Sequence, residues 1–161
     1  MRKISLFLAS AAFVLFGEGT ANAVLNSKVH ASACNQSGGL WSYSVTSGLV
    51  ASVGVSTLYC PFVDDYDGYL VTSGGVTTRN IQGLDVYGEK TAAGVVSASS
   101  CVTFRGPSYG YLCGTASTAS ATGQYVITPS VSVWQSSPYD YAFVKIDAPA
   151  GGAVSGILVS Q

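Results

Sequence analysis

The chain has 161 residues, of which only 9% are charged, and a formal net charge of −1. Such sparse, slightly acidic charge lacks the basic footprint that phosphate backbones require, so nucleic acid is not an expected partner. Folded proteins usually carry about a quarter of their residues as charges; here the surface must be built from Ser, Thr, Gly, Gln, Asn and Tyr, groups that cost little to desolvate against glycans, polymers or copies of the same chain.

Arg2 and Lys3 open the chain, an apolar run follows from Ile4 through Phe16 with only Ser5 and Ser10 interrupting, and Ala21-Asn22-Ala23 closes the segment. A basic start, a short apolar core and a small-x-small tripeptide form the pattern of a cleavable secretory signal peptide. The run falls short of the roughly 20 apolar residues that a transmembrane helix needs. Residues 1–23 are therefore expected to be removed. Residues 24–161 should form one secreted domain with five basic and seven acidic residues, and no later run there is long enough to span a membrane.

No stretch of that domain has a helical period. Short β-branched and aromatic runs, separated by Gly, Ser, Asp or Pro, predict strands near Leu40–Thr46, Leu49–Tyr59, Gly68–Thr72, Ile81–Tyr87, Val95–Phe104, Tyr109–Thr115, Gln124–Trp134, Tyr141–Asp147 and Ala153–Val159. Tyr125, Ile127, Val131 and Val133 fall on one face of the seventh, and Pro129 marks an edge position or a break. Ala142, Val144 and Ile146 alternate with Tyr141, Phe143 and Lys145. The expected fold is all-β: a disulfide-stapled β-sandwich of the jelly-roll or Greek-key kind.

Cys34, Cys60, Cys101 and Cys113 all lie in the exported part, and an even count there reads as two disulfides. Folding Cys101–Cys113 as a hairpin about Pro107 sets Cys101 opposite Cys113, Val102 opposite Leu112 and Thr103 opposite Tyr111. Directly opposed residues approach closely enough for a disulfide. In that register Val102, Leu112 and Phe104 should supply core, while the cysteines, Thr103 and Tyr111 share the other face. Cys34–Cys60 follows by elimination.

The order of Cys34, a Leu-Tyr-Cys60-Pro61 strand end, a Gly-Leu-Asp85-Val-Tyr strand and a Cys101/Cys113 hairpin resembles a loose group of small secreted bacterial single-domain β-proteins of unknown function. Many of them carry a further cysteine in the penultimate strand, where this chain has Tyr141-Ala-Phe-Val-Lys145. The resemblance implies an exported β-domain and no particular activity.

Chemistry is sparse. The only histidine, His30, precedes the first cysteine, no Gly-x-Ser-x-Gly occurs, and Glu89 is the only glutamate beyond residue 23, so no catalytic residues are assigned and the chain is not expected to be an enzyme; a hydrolase is the most distant reading. Asp64, Asp65 and Asp67, before Gly68, place carboxylates on a tight turn as calcium loops do, but without the downstream bidentate Glu of an EF-hand; the alternative is a plain Asp/Gly turn. No other cofactor is expected. Aromatics are the remaining signal: Tyr139 and Tyr141 flanking Asp140, then Tyr66 and Tyr69, then Trp41, are the expected ligand contacts, because Tyr and Trp offer large flat faces at little entropic cost. The expected function is a secreted, non-catalytic module contacting a glycan or surface polymer through Tyr- and Trp-bearing loops. The alternative is an extracellular structural protein that assembles with copies of itself.

Overall fold

The computed structural model describes residues 26–61, 70–73, 76–79, 81–104, 110–135 and 141–160. These fold into two antiparallel six-stranded sheets and a separate two-stranded ribbon. The first sheet, sheet A, runs in the order β12 (Gly123–Ile127), β8 (Gly83–Lys90), β14 (Gly152–Ser160), β4 (Gly48–Val53) and β3 (Leu40–Ser44), with β1 (Asn26–His30) also paired to β14. The second, sheet B, runs β10 (Gly110–Cys113), β9 (Val96–Phe104), β13 (Ala142–Ala148), β5 (Ser56–Pro61) and β2 (Asn35–Ser37), with β11 (Ser117–Ala119) on β9. The ribbon pairs β6 (Leu70–Ser73) with β7 (Val76–Arg79).

Period-2 alternation builds the core. Leu84 and Val86 of β8, Val154, Ile157 and Val159 of β14, and Leu49 and Ala51 of β4 point inward from sheet A; Val96, Ala98 and Val102 of β9, Val144 and Ile146 of β13, and Leu58 of β5 answer from sheet B. All belong to one buried cluster, so the sheets pack face to face as the expected all-β sandwich. Neighbours within a sheet are mostly far apart in sequence, because the chain crosses from one sheet to the other after β1, β2, β4, β8, β11, β12 and β13, a Greek-key-like course.

Several expected elements change. The run Leu49–Tyr59 is two strands in different sheets, β4 and β5. Leu49 and Ala51 are buried before Gly54, and Ser56, Leu58 and Cys60 after it, so the alternation changes phase there. Gly54 turns the chain with φ of 62°, a conformation L side chains rarely adopt. The run Gln124–Trp134 ends as a strand at Ile127; beyond Pro129 the chain makes one helical turn, Ser132–Gln135, that keeps Val131, Val133 and Trp134 buried by another route. Strand β8 continues past Tyr87 to Lys90, and β1, β2, β7 and β11 are additional.

Both expected disulfides form, Cys34–Cys60 and Cys101–Cys113, with Cα separations of 4.1 and 4.0 Å. The β9–β10 register is the one expected, Cys101 opposite Cys113, Val102 opposite Leu112 and Thr103 opposite Tyr111. Leu112, however, is exposed rather than core, because β10 is the outermost strand of sheet B and nothing in the described residues covers its inner side. The side chain of Phe104 and the turn 105–109 lie outside the described residues. Disulfides of this kind belong to an oxidising, extracellular setting, and among the described residues no helix is long and apolar enough to cross a membrane.

Candidate binding surface

On the outer face of sheet B, alternation leaves Pro61 of β5 and Tyr111 of β10 exposed and Thr57 and Tyr59 of β5, Phe143, Lys145 and Asp147 of β13 and Thr103 of β9 half-buried. The strand registers set Pro61 and Cys101 opposite Phe143, and Thr103 opposite Tyr111. Three aromatic rings therefore converge from three strands. Tyr59 and Phe143 have ring centroids 5.7 Å apart, Tyr111 and Phe143 also 5.7 Å, and Tyr59 and Tyr111 6.2 Å, all edge-to-face at 64–78°. That is the favoured geometry of aromatic pairs. With Asn35, Pro61 and Thr103 they line a groove of about 300 Å³.

The groove is held from beneath. The Cys101–Cys113 bond ties β10 to β9 and so fixes Tyr111 against its neighbours. On the inner side, the indole Nε1 of fully buried Trp134 donates to the carbonyl of Cys101 at 2.9 Å. Tyr111 stays 50% exposed, so its ring is available as well as positioned.

Among the described residues, the charges near the groove neutralise one another. Lys145 pairs with Asp147 at 2.9 Å, and Thr57 Oγ1 donates to Asp147 at 2.6 Å. The hydrogen bond to Asp147 holds the Lys145 ammonium above its ordinary range. The Tyr59 phenol is also raised, first by its hydrogen bond with Tyr111 and then by partial burial. Both hold the same charge state throughout the neutral range.

Of the contacts expected from the sequence, Tyr141 and Trp41 are among the described residues. Tyr141 is 67% exposed at the entry to β13, and its carbonyl accepts from the Thr103 backbone N–H at 2.9 Å and from Thr103 Oγ1 at 3.5 Å, beside the groove. Trp41 is half-buried against the core from β3, on the other sheet. Tyr139, Asp140, Tyr66 and Tyr69, and the calcium candidates Asp64, Asp65 and Asp67, lie outside the described residues; among those described, no three His, Cys, Asp or Glu side chains gather as metal ligands. Tyr59 and Phe143, which line the groove, are not among the contacts expected from the sequence. The disulfide hairpin places Tyr111 beside Thr103, but only the long-range pairing of β13 with both β9 and β5 brings the three rings together.

The outer face of sheet A carries a second depression around Tyr87. Lys28, His30, Gly156 and Leu158 line about 450 Å³ on one side, and Ser47, Glu89, Gln124 and Val126 about 350 Å³ on the other. It is larger, is lined also by His30 and the buried Tyr125, and its Tyr87 hydroxyl is turned to Asp85 at 3.4 Å. His30 Nδ1 accepts from the Ser32 N–H at 3.2 Å and lies 2.9 Å from the Ser32 hydroxyl, and the ring leans on Tyr43.

Comparison with protein-family models, with curated proteins and with solved structures returns no match for this chain.

Proposed function

We propose that the chain is a secreted, non-catalytic binding module, exported by its N-terminal signal peptide, that holds an uncharged glycan in the aromatic groove of sheet B. The observation that supports this is the convergence of Tyr59, Tyr111 and Phe143 on an outer sheet face, with the polar side chains of Asn35 and Thr103 at its margin. Aromatic faces stack on the apolar faces of sugar rings, and a few placed polar groups orient the hydroxyls, the usual composition of a small-ligand site. Because the nearest charges among the described residues are paired with one another, an uncharged polymer is the fitting ligand and salt should affect retention little. The mutual tilt of the rings suits an individual chain entering a groove better than a flat crystalline surface.

Affinity electrophoresis through gels containing neutral soluble polysaccharides, after a glycan array has identified a ligand, tests the reading. Tyr111→Ala should abolish retardation while lowering stability by no more than about 1 kcal/mol, since the ring is half exposed. Retardation unchanged in both Tyr111→Ala and Phe143→Ala removes the groove from consideration.

A further inference from the structure

Sheet A ends on β3, and among the described residues no strand pairs with its outer edge. An open edge presents unpaired N–H and C=O groups to any other strand, so natural edges are kept short, charged, bulged or covered. The other edges here have such protection. Strand β2 has three residues, and β10 has four and is tied down by a disulfide. Strand β1 carries Lys28. Strand β12 is approached by β11, whose Ser117 Oγ donates to the Thr128 carbonyl at 3.0 Å.

Strand β3 has none of these. Residues 35–63 contain no charge at all. The irregularity in the β3–β4 pair puts its extra residue, Ser52, on β4, so β3 itself stays regular. Leu40, Tyr43 and the adjoining Val45 are 63%, 58% and 89% exposed. The indole Nε1 of Trp41, on the same strand, is buried with no acceptor among the described residues.

We propose that this edge is a two-fold interface between two copies of the chain, in which β3 pairs antiparallel with β3 of the second copy about Ser42. That register sets Trp41 opposite the partner's Tyr43 and Tyr43 opposite the partner's Trp41. Two aromatic cross-strand pairs form on the side of the sheet where Leu49 and Ala51 are buried. On the outer face Ser42 meets the partner's Ser42. Each residue's contact is returned by its counterpart, the self-complementarity a two-fold interface requires. A second copy is the fitting occupant because an uncharged strand meets its own copy without like-charge repulsion, and because Trp-Ser-Tyr reads aromatic-small-aromatic in both directions. The pairing joins two sheets A edge to edge and is independent of the glycan reading, since the aromatic groove lies on the other sheet.

Sedimentation equilibrium of the purified protein over a wide concentration range, with Ser42 variants, decides it. Ser42 is exposed, and the one hydrogen bond of its hydroxyl comes from Ser52 at 3.3 Å, so substitution there should leave the melting temperature unchanged. Ser42→Lys and Ser42→Glu each place like charges directly opposite one another and should weaken the dimer by about tenfold or more. An equal mixture of the two variants should recover dimer by pairing Lys with Glu. A wild-type protein that is monomeric throughout, a Ser42→Lys dimer as tight as wild type, or a mixture no tighter than either variant alone overturns the proposal.

Discussion

Tyr125 is buried over Gly88 so closely that a Cβ on Gly88 would stand 2.4 Å from the ring carbon Cζ, and its hydroxyl donates to the Ala153 carbonyl at 2.7 Å. Burial raises this phenol well above its ordinary range. The folded chain therefore keeps a proton that the unfolded chain releases near pH 10. Stability from this group is complete below that pH and is lost as the pH rises toward the raised folded value. Tyr59, Tyr87 and Lys145 are shifted in the same direction but are solvent-screened and add little. The urea midpoint should thus fall steeply between about pH 10 and pH 11 in the wild type. In Tyr125→Phe it should fall much less, from a neutral-pH starting point about 1 kcal/mol lower for the lost hydrogen bond. An equally steep fall in the variant would assign the alkaline transition to another group. Tyr125 was legible as core, because it sits where apolar side chains recur. Lys90 was not: it occupies an inward position of β8, 1% exposed, with its ammonium donating to the carbonyls of Gly94 and Ser120. A charge at a buried position breaks the apolar pattern, and the loop carbonyls that satisfy it are brought close only by the fold.

Hairpin chemistry was the most legible element, since one register satisfied both the cysteines and the alternation. The same logic extends to the other disulfide: β2 pairs with β5 so that Asn35 opposes Tyr59, and one step further Cys34 meets Cys60. Each disulfide therefore fastens an outer strand of sheet B that is too short to hold by backbone pairing alone. Loop-closure entropy gives about 3.5 kcal/mol for the Cys34–Cys60 bridge, which spans 26 residues, and about 3 kcal/mol for Cys101–Cys113, which spans 12. Replacing Cys34 and Cys60 by Ala should therefore lower the denaturation midpoint more than replacing Cys101 and Cys113. Glycan retention should show the reverse order, because only the second bridge positions Tyr111. Equal loss of retention in both double variants would mean that the groove depends on the whole sheet rather than on the β9–β10 tie. The partition of the run Leu49–Tyr59 was harder to see. Its phase change at Gly54 is present in the residues, but each half alone still reads as an acceptable strand.

At the scale of the molecule, the long-range pairings were not legible, because alternation says which face a strand buries and not which strand it meets. The C-terminal segment shows the consequence. Strand β13 is central in sheet B, between β9 and β5; β14 is central in sheet A, between β8 on one side and β4 and β1 on the other. The last strands made thus complete both sheets, and before they arrive β4, β8 and β1 have no common partner. Val154, Ile157 and Val159 of β14 are all but fully buried, and burying such side chains is worth about 1.5–3 kcal/mol each. Their sum, about 5–9 kcal/mol, matches much of the 5–15 kcal/mol that holds a typical domain folded. A chain ending at Pro149 should therefore be unfolded even with both disulfides formed, showing no cooperative thermal transition and no protected amides in hydrogen exchange. Adding a peptide of residues 150–161 should restore strand signal in far-ultraviolet circular dichroism in a concentration-dependent way. A truncated chain that still melts cooperatively would show that sheet B, stapled at both edges, carries the fold without sheet A's central strand. The intact chain should also refold slowly, on the millisecond-to-second scale of sandwiches dominated by non-local pairing. Ile157→Ala, at a cost of about 2–5 kcal/mol, should act chiefly on unfolding if β14 docks after the transition state and chiefly on folding if it docks before.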